Sequence, residues 1–201
     1  DETVKDAFLL SVPSGKHLLY VNTPASFDIE TTSFYAKTDG EPEKVAIMYV
    51  WQLGINGVVI YGRTWQEFLN TINDIESKFN LSSSHRLLIY CHKLSFEFQF
   101  IKEFFHWDKV FALKPRVPVY AIAGGIEFRC SYKLSNYSLE YLGNNLLKKY
   151  PVKKQVGDLD YSLIRHQNTV LTPTELNYAI YDVYVVMAYI RERMEDENND
   201  I

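Results

Sequence analysis

In Ser26-Phe27-Asp28-Ile29-Glu30-Thr31-Thr32-Ser33, two carboxylates stand two positions apart around an isoleucine, behind an apolar run, Leu18-Leu19-Tyr20-Val21. Alternate residues of a β-strand share a face. Asp28 and Glu30 are therefore expected to project side by side, with Ile29 pointing the other way into a core. Carboxylates held this close repel unless a proton or a cation sits between them. Oxygen ligands of this kind suit hard divalent cations such as Mg²⁺ and Mn²⁺. A solvated strand edge explains the same spacing, so the pair acquires meaning only from the rest of the chain.

The 201 residues fit one large domain better than two small ones. A composition of 47% hydrophobic and 23% charged residues is that of a globular protein with a sizeable core. The net charge of −4 argues against a broad basic surface for duplex nucleic acid. Any nucleic-acid contact should be local: a short single-stranded end, aromatic stacking and metal ions. The 15 Tyr and 12 Phe can serve that purpose as well as the core. Cys91 and Cys130 lie inside strand-like runs and read as buried reduced thiols, which fits a cytosolic setting. No apolar run of about 18 residues is present, so no membrane span is expected. No basic-then-apolar leader opens the chain. The missing initial Met and the acidic run Glu195-Asp196-Glu197-Asn198-Asn199-Asp200 suggest a piece cut from a longer protein, with a natural acidic tail as the alternative.

Residues 1–16 are weakly patterned and end in a turn, Pro13-Ser14-Gly15. A strand is expected near 25–31, then a polar turn over Lys37-Thr38-Asp39-Gly40-Glu41-Pro42. The β-rich runs Val45–Leu53 and Gly57–Tyr61, joined through Asn56-Gly57, read as a hairpin, which makes the first three strands an antiparallel meander. Thr64-x-x-Glu67 is a capping box opening a helix with Trp65, Phe68, Leu69, Ile72, Ile75 and Phe79 at helical spacing. Leu87-Leu88-Ile89-Tyr90-Cys91 is a strand of the kind buried on both faces. A second helix is expected from about Ser95 to His106, and a hairpin over Val117–Ala123 and Ile126–Tyr132. Residues 135–171 are less regular and hold Lys148, Lys149, Lys153 and Lys154. Thr172-Pro173-Thr174-Glu175 then starts a long helix running to about Met194.

On that helix Tyr178 and Asp182 stand four apart on one face, about 200° around from the stripe begun by Leu176. The middle segment His92-Lys93-Leu94-Ser95-Phe96-Glu97-Phe98-Gln99-Phe100-Ile101 leaves a buried strand and enters a helix, with Glu97 where the helix dipole favours a carboxylate. Asp-x-Glu on the first strand, an acidic residue opening a middle helix and Tyr-x-x-x-Asp on a late helix follow in the order used by DEDD-type 3′–5′ exonucleases. The chain resembles that superfamily. It is most similar to the proofreading domain of protein-primed family B DNA polymerases, the group of small bacteriophages and linear plasmids. The residues that carry the resemblance are Phe27 to Thr32, His92 to Ile101 and Tyr178-Ala179-Ile180-Tyr181-Asp182. Tyr137-Ser138-Leu139, Pro151-Val152-Lys153-Lys154, Gly157-Asp158-Leu159-Asp160-Tyr161 and Leu171 to Glu175 extend it over about residues 20–195.

The resemblance implies a ribonuclease-H-like α/β fold: a mixed five-stranded sheet, antiparallel meander then parallel strands, flanked by helices. Asp28 and Glu30 would sit on its central strand. It also implies two-metal phosphodiester hydrolysis with Mg²⁺ or Mn²⁺. Asp28 would bridge both cations, Glu30 and Asp182 would hold the one that activates water, Glu97 would complete the set, and Tyr178 would position the water. Thr31, Phe96, Leu139 and Tyr161 would grip the single-stranded 3′ end, Phe96 by wedging or stacking. The implied partners are a single-stranded DNA 3′ end and a polymerase domain in the same or an associated chain, with no membrane. The implied location is cytoplasmic, in a bacterial cell or phage-infected host, or on a linear plasmid.

The chain departs from the family pattern in its second motif. Asn-x-x-Phe-Asp is replaced by Lys93-x-x-Phe96-Glu97. The longer Glu shifts its oxygens by about 1 Å, and a displacement of that size can cost on the order of 100-fold in rate. Lys93 can meet the scissile phosphate, or pair with Glu97 and oppose a cation. Val156 stands where the subgroup has a lysine, for which Lys153 or Lys154 can substitute. His92 reads as a packing or hydrogen-bonding residue, and His166 does not fit the family's histidine variant. Two other readings stay open: a weakened or inactive module that binds single-stranded nucleic acid, and a 3′–5′ exonuclease acting on RNA.

Overall fold

The computed structural model describes residues 11–37, 40–155 and 159–201. Two short strands, β1 (Ser11–Pro13) and β2 (Leu19–Val21), precede the long β3 (Ala25–Ala36). β3 pairs antiparallel with β4 (Glu43–Ile55) from Ala25↔Ile55 to Ala36↔Glu43. β4 turns into β5 (Val58–Gly62) through Asn56 and Gly57, both at positive φ (48° and 82°). That is the backbone a two-residue hairpin of this twist requires, and the reason Asn-Gly is found there. The polar turn expected over 37–42 falls partly on residues 38–39, outside the described residues, as do residues 1–10.

The two capping boxes form as expected. Thr64 caps α1 (Trp65–Lys78), and Thr172 caps α5 (Pro173–Glu197), with Glu67 and Glu175 reaching back to the cap amides. Between them lie β6 (His85–Cys91), α2 (Leu94–Ile101), β7 (Lys109–Lys114), β8 (Val117–Ala123), β9 (Ile126–Cys130) and two short helical turns, α3 (Tyr132–Ser135) and α4 (Leu139–Tyr141). A π-helical turn, Leu142–Leu146, follows α4.

The strands form one mixed sheet in the order β5-β4-β3-β6-β9-β8-β7, with β2 also pairing with β6. Its first five strands are the meander followed by parallel β3-β6-β9, and β3 is central among those five. The fold is therefore mixed α/β, consistent with a ribonuclease-H-like sheet flanked by helices. The sheet runs further than the expected five strands because β8 adds antiparallel to β9 and β7 to β8. β7 is exposed along its length, which is why its residues carry no alternating pattern.

One face of the sheet packs Phe27, Ile29, Leu87, Ile89 and Phe128 against Phe68, Ile72 and Ile75 of α1 and Leu94 and Ile101 of α2. The other face packs Leu88 and Tyr90 under Val185, Val186 and Tyr189 of α5. Alternation along β3 thus sends Phe27 and Ile29 into one core and Asp28 and Glu30 toward α5. The second helix ends at Ile101 rather than at His106. Phe105 and Trp107 turn in to pack near Phe128, at centroid distances of 6.0 and 6.1 Å, and the Trp107 indole donates to the freed Lys102 carbonyl at 2.8 Å. Aromatic burial and a satisfied helix end together outweigh helix continuation. Cys91 and Cys130 are buried and free, as expected.

Phe68 is fully buried, 4.7 Å from the ring of Phe27 and 5.5 Å from that of Trp51. Phe68→Ala is expected to lower unfolding free energy by about 3–5 kcal/mol. Urea unfolding followed by tryptophan fluorescence measures this, and a loss under about 1 kcal/mol would contradict the packing described.

Candidate active site

Four carboxylates converge from three elements. Asp28 and Glu30 rise from β3 toward α5, and Asp182 descends from α5 to meet them. Oxygen atoms of all three lie within 4.8 Å of one another. Glu97, on the first turn of α2 at the exit of β6, is 3% exposed and sits against Asp28. Burial pushes the Asp28 carboxyl up to about 7, with the Asp182 charge adding to it. Burial, then the Asp28 charge, holds Glu30 and Glu97 well above the carboxylate range. Asp182 is raised by burial even though a lysine opposes it.

That lysine is Lys154, whose Nζ donates to Asp182 Oδ2 at 2.6 Å. Burial pulls its ammonium down, but the Asp182 carboxylate outweighs this, so Lys154 remains charged. One cation does not satisfy four carboxylates. Asp182 Oδ1 and Glu97 Oε2 are buried without a hydrogen-bond partner among the described residues. A buried acceptor left unpaired is costly. The donor set is all oxygen and anionic, the set that hard divalent cations take. The residues present therefore fit Mg²⁺ or Mn²⁺.

Beside the carboxylates lies an open cleft of about 330 Å³, lined by Asp28, Lys93, Phe96, Glu97, Leu139 and Lys154 among others. Phe96 is half exposed there, 5.4 Å from Phe100. Lys93 lies 5.9 Å from the Tyr132 ring centroid and makes no ion pair with Glu97. His92 borders the same cleft. It is held neutral by burial and then by the Lys93 charge, which lower it to about 4, and it hydrogen-bonds Ser131 at 3.1 Å.

Tyr178 shares a hydroxyl–hydroxyl hydrogen bond of 3.1 Å with Tyr161, itself 71% exposed. Burial and that bond raise the Tyr178 phenol, keeping its proton. The Lys154 ammonium stands 4.9 Å from the Tyr178 ring centroid. Thr31 follows the point where the β3–β4 register shifts between Glu30 and Thr31, and it is not among the cleft residues. Val156 and the Gly157-Asp158 stretch lie outside the described residues.

Two residues at the site carry no motif in the sequence. Arg165 is buried, pairs with Glu175 at 2.7 Å and donates to the carbonyls of Asp160 and Leu163, which braces the loop bearing Tyr161. Gln52 is fully buried directly across the β3–β4 ladder from Asp28, with both amide atoms unpartnered among the described residues.

No family model matches the chain, and no curated protein matches it significantly. Solved structures do share its fold. A ternary complex of Phi29 DNA polymerase with primer-template DNA and incoming nucleotides matches at TM-score 0.67 and 13% identity, over 88% of this chain and 31% of that one. Phi29 DNA polymerase complexed with single-stranded DNA matches at TM-score 0.66 and 15% identity, over 88% and 32%. The chain spans about a third of the length of those polymerases. At this identity the likeness establishes the fold and leaves the chemistry to the side chains just described.

Proposed function

We propose that this chain is a 3′–5′ exonuclease domain of the tyrosine DEDD type, a proofreading module related to protein-primed DNA polymerases, acting on single-stranded DNA 3′ ends. The observation that carries this reading is the convergence of Asp28, Glu30 and Asp182 within 4.8 Å, with Glu97 against Asp28 and its Oε2 unpartnered among the described residues. The fold shared with DNA-bound polymerase structures supports DNA as the substrate.

In this reading Asp28, Glu30, Glu97 and Asp182 hold two divalent cations. Bound there, divalent cations would supply water activation and charge stabilisation at the leaving 3′ oxygen. The protein's own groups orient the reactants. The protonated Tyr178 hydroxyl, braced by Tyr161, can donate to or accept from the attacking water. Phe96 offers an exposed aromatic face to the terminal bases, a stack worth about 1–3 kcal/mol, and the mostly buried Leu139 adds an apolar edge to the cleft. Lys154 takes the place of the family's lysine, and its charge can turn from Asp182 to a phosphate oxygen. Lys93, not engaged by Glu97, is available to a backbone phosphate. Thr31 is assigned a strand contact on the resemblance alone.

A 3′-labelled single-stranded DNA incubated with Mg²⁺, Mn²⁺ or EDTA tests the reading. Metal-dependent laddering from the 3′ end is expected, abolished in the double variant Asp28→Ala/Glu30→Ala. Binding without cleavage in every metal would replace it with a non-catalytic module, and equal cleavage of RNA would change the substrate class. Tyr178→Phe is expected to reduce the single-turnover rate by roughly 10- to 100-fold with little change in DNA affinity. An unchanged rate would remove its role.

The raised carboxylates also set a pH dependence. The folded state binds protons that the unfolded state has released, so stability is present below about pH 4 and is lost as pH rises toward about 7. The melting temperature of the metal-free protein should fall across that window. Mn²⁺ should restore it above pH 7, and a metal-free profile rising with pH would contradict the assignment.

A further inference from the structure

Glu192 lies on α5 ten positions past Asp182 and is only 5% exposed. No basic side chain pairs with it among the described residues. Instead it accepts three consecutive backbone N–H groups. Lys148 N lies 2.8 and 3.0 Å from its two oxygens, and Lys149 N and Tyr150 N each lie 2.7 Å from Oε1. From this clamp the chain runs through Pro151, Val152 and Lys153 without regular structure to Lys154, which closes on Asp182.

One helix therefore holds both ends of a strap. Ten helical residues rise about 15 Å. Four extended residues reach at most about 14 Å, and a lysine side chain adds roughly 6 Å. A slip of one helical turn, about 5.4 Å, at the Glu192 end would use all of that slack. The strap also packs closely on Gly143, where a Cβ would fall 2.7 Å from the Val152 carbonyl oxygen and 3.3 Å from Lys154 N. There is no room for the strap to relax toward the π-helical turn.

We infer that Glu192 is a positioning residue that sets the reach of Lys154 into the carboxylate cluster. The inference rests on the nuclease reading for its consequence in catalysis, but the clamp itself is a matter of geometry. Glu192→Gln removes the charge that all three amides share at Oε1 and sets its Nε2 donor against the Lys148 N–H, the one amide that also reaches Oε2. Glu192→Asp keeps the charge and withdraws it by about 1 Å.

Two readouts test this. The first is brief acylation of the full chain with a lysine-reactive ester, read by fragment-resolved mass spectrometry as labelling of Lys154 relative to exposed Lys153. The ratio should rise several-fold in Glu192→Gln and less in Glu192→Asp. General loosening would raise both lysines together and leave the ratio unchanged, which would overturn the inference. The second is a double-mutant cycle on exonuclease kcat. Glu192→Gln should lower kcat about tenfold at constant KM, yet change it less than about twofold in a Lys154→Ala background. Full additivity would also overturn the inference. If the wild-type chain cleaves nothing in any metal, the nuclease reading fails, and the labelling ratio still decides the clamp. If Glu192→Gln does not fold, Glu192→Asp carries both readouts.

Discussion

Desolvation and mutual repulsion of four gathered carboxylates, Glu97 and Asp182 buried and Asp28 and Glu30 half-buried, are the constraint on which this structure turns. Asp28, Glu30, Glu97 and Asp182 come from elements far apart in sequence, and each is pushed toward its protonated form by burial. Nothing local makes this arrangement favourable. Lys154 relieves part of the charge, and two buried carboxylate oxygens still lack a partner among the described residues. The cluster persists because two hydrophobic cores, one on each face of the sheet, hold β3, α2 and α5 where they are. Stability generated in the cores is spent at the site, as is common where function demands close like charges.

The same logic explains the geometry around the cluster. Alternation along β3 buries Phe27 and Ile29 on one face and turns the carboxylates to the other. The parallel β6 ends beside β3, and its exit delivers Lys93, Phe96 and Glu97 to the cleft. Ligand sites of parallel α/β sheets lie at such carboxyl ends. The long α5 supplies Tyr178 and Asp182 near one end and Glu192 farther along, so one rigid rod sets the positions of a phenol, a carboxylate and the lysine strap.

Much of this was legible in the residues. Asp-x-Glu, Tyr-x-x-x-Asp, both capping boxes and the Asn-Gly hairpin depend on interactions within a few positions, and each formed where its pattern stood. What was not legible depends on distant partners. The residues alone leave Lys153 and Lys154 as equal candidates, and only the contact with Asp182 singles out Lys154. Arg165 belongs to no motif, and its place shows only in the ion pair with Glu175. α2 stops early because Phe105 and Trp107 find Phe128, a contact no helical periodicity encodes. β7 joins the sheet with both faces exposed and so leaves no hydrophobic alternation.

A functional carboxylate cluster of this kind must be a cation site. Calorimetric titration of Mn²⁺ into the metal-free chain at pH 7.5, with the double variant Asp28→Ala/Glu30→Ala as reference, measures this most directly. Two bound Mn²⁺ per chain are predicted, with proton release on binding because protonated carboxyls must give up their protons, and none in the variant. No binding in the wild-type chain, or the same binding in both, would contradict it.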